Sequence, residues 1–103
     1  MRGWTTVTIE HTTPAGGNVF AELDFAEGEA ENLKIRSELM IEIRKVMAAR
    51  ELRQADAAAL FGVTQPRISE LVRGKIDQFS IDALVKMLAH AGFRVEVRVP
   101  RVA

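Results

Sequence analysis

The chain has 103 residues, 48% of them apolar and 27% charged, with fourteen basic and fourteen acidic side chains. That length suits one domain with a modest core. Without cysteine there is no disulfide framework or thiolate metal site, and no apolar run approaches the ~20 residues of a membrane-spanning helix.

The charges are unevenly spread. Residues 1–32 carry six acidic side chains (Glu10, Glu22, Asp24, Glu27, Glu29, Glu31) and one basic, Arg2, whereas residues 33–103 carry thirteen basic and eight acidic. Scatter in a small sample produces such a split. The sharper reading is two partners, phosphate for the basic body and a basic protein for the acidic front. Only Arg2 flanks the N-terminus and no apolar h-region follows it, so no signal peptide is expected and a cytoplasmic location is the default.

Residues 1–17 read as an N-terminal arm, and residues 18–103 as the folded domain. Within the arm, residues 4–10 alternate, with Val7 and Ile9 apolar, as a short strand does. The stretch TTPAGG at residues 12–17 is a turn or linker cluster. Asp24 and Glu27 resemble a capping box and predict the start of a helix there. The pattern stays helical to about Arg50: Leu39, Ile43, Val46 and Met47 lie at i, i+4, i+7 and i+8, with Leu33 and Met40 beside that buried stripe. Gly28 weakens the first turn and allows a break into two helices.

Residues 54–74, QADAAALFGVTQPRISELVRG, read as two short helices joined by a tight turn. Ala57, Ala58 and Phe61 face one side of the first. Gly62 ends it, since a residue past a helix end commonly needs positive φ. Val63 plugs the corner, Thr64 suits the next N-cap, and Pro66 falls in a first turn, where its missing N–H costs nothing. Ile68, Leu71 and Val72 set the buried face of the second helix. Pro66, Ser69, Glu70 and Arg73 point away, flanked by Gln65 and Arg67. A polar outer helix held by a small partner and a short corner has the shape of a helix-turn-helix DNA reader.

After Gly74, residues 75–79 form a loop that tucks Ile76 and Phe79 under. Ser80 caps a helix to about Ala91, with Asp82 in its first turn and Ile81, Leu84, Val85 and Leu88 buried. Gly92 ends it. Residues 93–99 (FRVEVRV) alternate strictly as one strand, stopped by Pro100. That strand needs a partner. Either it pairs in the chain with residues 5–10, or it pairs with its own copy across a two-fold axis. An antiparallel self-pair centred on Val95 or Val97 sets Arg opposite Glu, while centring on Glu96 sets Glu against Glu.

The central motif resembles the lambda-repressor/Cro-type (XRE) helix-turn-helix. The shared positions are Gln54, Ala58, Gly62, Val63, Ile68 and Leu71, and GVTQPRIS is close to the family's turn and recognition helix. The wider frame, over residues 18–99 and including the lead-in NVFAEL, is similar to HigA-type antitoxins. The resemblance implies a mainly α, lambda-repressor-like domain of about five helices with a C-terminal strand that pairs in a dimer. It implies a sequence-specific repressor of a palindromic duplex operator, needing no cofactor, and the antitoxin of a type II pair that neutralises a basic RelE/ParE/HigB-like toxin through the acidic N-terminal region. The alternatives are a stand-alone XRE regulator, or a protein inhibitor whose DNA binding is secondary.

The site residues follow. Arginine can donate two hydrogen bonds to guanine O6 and N7, and glutamine can pair adenine in the same way, which makes Arg67 and Gln65 candidates for base edges. The resemblance places Gln65, Pro66, Arg67, Ser69 and Glu70 at the family's exposed recognition positions. It places Gln54, Thr64, Arg73 and Lys75 at phosphate, and Phe93, Val95, Val97 and Val99 in the dimer seam. The bland alternative for Arg67 is a surface ion pair to Glu70 at i+3. Two positions depart from the family. Arg53 stands where a Thr or Ser caps the first motif helix, and Glu70 is acidic where many relatives are polar or basic. An enzyme is not expected: His11 and His90, the two histidines, have no companion spacing for a metal or proton-transfer pair.

Overall fold

The computed structural model describes residues 5–10 and 20–99, and of residues 10 and 20–27 the backbone alone. The readings for Trp4, His11, residues 12–17 and Pro100 lie outside the described residues. In chain order the elements are β1 (Thr5–Glu10), α1 (Phe20–Ala49), α2 (Gln54–Phe61), α3 (Gln65–Val72), a 3-10 turn (Ile76–Gln78), α4 (Ile81–His90) and β2 (Phe93–Arg98).

Four α-helices are described where the sequence predicts about five, and the difference lies at Gly28. α1 runs unbroken through it and begins at Phe20, a turn before the predicted capping box. One glycine costs a helix about 1 kcal/mol relative to alanine, which the flanking Ala, Glu and Leu residues carry easily. The core side of α1 starts later. Leu39 and Ile43 are fully buried, whereas Leu33, read as part of the stripe, is 44% exposed because it lies in the half of α1 that precedes the core.

The core joins Leu39, Met40 and Ile43 of α1 to Ala57, Ala58 and Phe61 of α2, Ile68 and Leu71 of α3, and Leu84, Met87 and Leu88 of α4. Phe79 enters from the loop after α3, and Val7, Ile9 and Phe93 enter from the sheet. Val72, predicted to be buried, is exposed at the end of α3, where it borders a shallow cleft with Arg44, Met47, Ala48 and Leu52.

β1 and β2 form a two-stranded sheet, so β2 takes the in-chain partner that the sequence left open. The pairing is parallel, with Val7 opposite Val95 and Ile9 opposite Val97. A parallel pair cannot close as a hairpin and needs a long crossover, which all four helices supply here. Val7 and Ile9 cover the core from above. At the apolar positions of β2 and just past its end burial falls: Phe93 is in the core, Val95 is half-buried, and Val97 and Val99 are exposed.

Candidate nucleic-acid interface

The motif is built by two helix ends. α2 stops at Gly62, whose φ of +69° is left-handed, and the Val63 N–H reaches back to the Ala58 carbonyl at 3.0 Å. This six-to-one bond satisfies an otherwise orphaned carbonyl and fixes the angle at which α3 leaves. Gly62 meets a second demand. A Cβ built on it would lie 2.8 Å from the His90 ring, and His90 Nδ1 donates to the Leu60 carbonyl at 2.9 Å. His90 thus spans from the end of α4 to the end of α2, a contact between residues thirty positions apart that no local pattern signals.

α3 has Thr64 at its N-cap position, yet the hydroxyl makes no capping bond. The cause is local. Pro66 stands at the second helical position and has no N–H to give, and the Arg67 N–H is taken by the Thr64 carbonyl at 3.1 Å. The Thr64 side chain is left exposed at the corner. Arg53, at the N-cap of α2, likewise makes no side-chain cap, as its departure from the family implies.

Ile68 and Leu71 lock α3 into the core. That leaves Gln65, Pro66 and Arg73 exposed, with Ser69 and Glu70 half-buried along the same side, and Lys75 exposed just beyond. Gln54 is half-buried at the start of α2. Arg67 does not extend freely. Its Nη1 donates to Glu70 Oε1 at 3.0 Å, and its Cζ lies 4.2 Å from the centroid of the Phe79 ring. The ion pair foreseen for Arg67 is present, but it is one of two contacts. A single ion pair at a half-buried surface position contributes about 1 kcal/mol or less to stability, so its consequence is geometric.

Arg36, on α1, has no role that the sequence suggested. Its Nε donates to Asn32 Oδ1 at 2.7 Å, and its Nη1 donates to the carbonyls of Ile76 at 3.0 Å and Phe79 at 3.4 Å. It therefore ties the loop after α3 to α1. Beside it opens a cleft of about 450 Å³ bordered by Arg36, Arg67, Asp77, Phe79 and Ser80. The two guanidinium groups there are already engaged, one on carbonyls and one on Glu70 and Phe79.

The chain matches the family model described as a helix-turn-helix domain over residues 20–100. It is also similar to a solved structure described as an XRE-family transcriptional regulator, with 30% identity over 72% of this chain and 83% of the other, at a TM-score of 0.66. The chain belongs to the XRE-type helix-turn-helix family. No curated protein matches it. XRE regulators act by binding DNA and are not enzymes. Among the described residues of this XRE protein, no helix is long and apolar enough to cross a membrane.

Proposed function

We propose that this XRE regulator is a sequence-specific repressor that binds a palindromic operator as a dimer. The observation that carries the proposal is the polar face of α3, held outward by Ile68 and Leu71 at zero exposure. Gln65 and Arg67 are the donors for base edges, Ser69 and Glu70 supply further hydrogen-bonding groups, and Pro66 supplies apolar contact. Gln54, Thr64, Arg73 and Lys75 flank that face and are assigned to phosphate. The Thr64 hydroxyl supports this role, because no capping bond occupies it. Phe93, Val95, Val97 and Val99 are assigned to the dimer seam. Among the described residues the second edge of β2 has no strand beside it, and Val97 and Val99 are uncovered.

The finer assignment is to the antitoxin of a type II pair that represses its own operon and holds a basic RelE/ParE/HigB-like toxin. The charge split supports it, since Glu22, Asp24, Glu27, Glu29 and Glu31 all fall in the first half of α1, ahead of the core. The competing assignment is a regulator with no toxin.

The deciding experiment is a titration of the protein onto DNA from its own upstream region, against salt and unrelated competitor. Competitor-resistant binding with two-fold protection is expected. Weak binding that collapses equally on all sequences overturns the repressor. A neighbouring gene whose small basic product arrests growth alone, and not when co-expressed with this chain, establishes the antitoxin role. A neighbourhood without one favours the stand-alone regulator.

A further inference from the structure

We propose that Phe79 and Glu70 are positioning residues that hold the Arg67 guanidinium ready to read one base pair. The inference rests on α3 being the reading helix. An arginine on a helix surface samples many rotamers, and freezing them on binding costs affinity and blurs selectivity. Arg67 is restrained twice before any duplex arrives. The Phe79 ring supports the guanidinium face at 4.2 Å, and Glu70 takes one Nη1 hydrogen at 3.0 Å. A guanidinium has five N–H groups in a planar fork, so those two contacts leave an edge able to donate two parallel bonds. That is the geometry a guanine O6/N7 pair accepts.

The support is itself rigid. Phe79 is 1% exposed, so its ring is fixed by the core. Its backbone is tied to α1 through the Phe79 and Ile76 carbonyls, which accept from Arg36. Glu70 is then more than an acidic residue facing a polyanion. It sets the angle of the arginine beside it and, by its charge, penalises binding in which Arg67 finds no base. Selectivity at one base pair would therefore depend on a residue buried beneath the interface that contacts no DNA.

The test uses the full chain. A duplex is selected by the wild-type protein from a random-sequence pool, and affinities are measured for it, for each single-base-pair variant and for an unrelated duplex. Arg67→Ala identifies the base pair that Arg67 reads. Phe79→Leu keeps an apolar side chain but removes the ring face, and Glu70→Gln keeps the shape but removes the charge. Each is expected to reduce preference at that same base pair about tenfold, a change of ~1.4 kcal/mol. Phe79→Leu should leave the unrelated duplex bound within about twofold, and Glu70→Gln should bind it more tightly. Equal loss on every duplex, or an unchanged preference at the Arg67 base pair, overturns the proposal. Because Phe79 is buried, its variant is compared at matched folded fraction, and Glu70→Gln, at a half-buried position outside the core, stands as the independent arm. If the wild-type protein selects no sequence, or Arg67→Ala weakens all duplexes alike, the reading role of α3 fails and this inference falls with it.

Discussion

Gly62 carries two constraints that fall on one atom it does not have. Its φ of +69° costs a side-chain-bearing residue about 1–2 kcal/mol. A Cβ there would also push the His90 ring off the Leu60 carbonyl, forfeiting a bond worth about 1 kcal/mol. Gly62→Ala is therefore expected to destabilise the domain by about 2–3 kcal/mol in urea denaturation, the sum of those two terms. In a His90→Ala background the same change should cost only the backbone term, so the two substitutions should couple by about 1 kcal/mol. Strict additivity would show that the His90 contact contributes nothing. At this scale legibility depends on sequence separation. Gly62, Ile68 and Leu71 were readable because turn chemistry and helical spacing are local. His90 on Leu60, Arg67 on Phe79 and Arg36 on the 76–79 loop were not, because each joins elements whose mutual placement only the assembled core sets.

Helix ends show where a local rule succeeds and where another local rule cancels it. Ser80 accepts from the Ala83 N–H at 3.0 Å, as its position predicts. Thr64 stands in the same place on α3, and Pro66 deprives it of a donor. Ser80→Ala should thus cost about 1 kcal/mol, and Thr64→Ala less than about 0.5 kcal/mol, when compared by thermal melting. Equal costs would mean that Thr64 caps after all. The end of α1 is a further case. The Leu52 N–H bonds the Met47 carbonyl at 2.9 Å, with Glu51 between them at φ +50°, where glycine is the usual residue. Glu51→Gly relieves a left-handed strain of about 1–2 kcal/mol and loses part of it to the freer unfolded chain, for a net gain of about 0.5–1 kcal/mol. A lower melting temperature would show that the Glu51 side chain contributes more than its backbone costs. No glycine marked this stop in the sequence, so only the fading of the apolar stripe pointed to it.

For the whole molecule the open question in the sequence was where the C-terminal strand pairs. Both strands were legible from alternation, but their parallel register was not, because it follows from how four helices fold back between them. That in-chain pairing uses one edge of β2, and among the described residues no strand lies on the other, which is where the proposed dimer would set a copy. The uncovered valines favour one arrangement. Centring an antiparallel self-pair on Val97 sets Val95 opposite Val99 and Glu96 opposite Arg98 of the second copy, extending the apolar face that begins at Phe93. Val97 would then face its own twin across the axis. Val97→Lys sets two like charges directly opposite each other there, while in the single chain the position is 43% exposed and tolerates a charge. Sedimentation equilibrium should report a dimer for the wild-type protein and a monomer for the variant, with the helical circular dichroism signal unchanged. Operator binding should weaken steeply, because two linked half-sites become two independent ones. A variant that stays dimeric would move the seam away from β2, and with it the spacing expected between the two α3 helices on DNA.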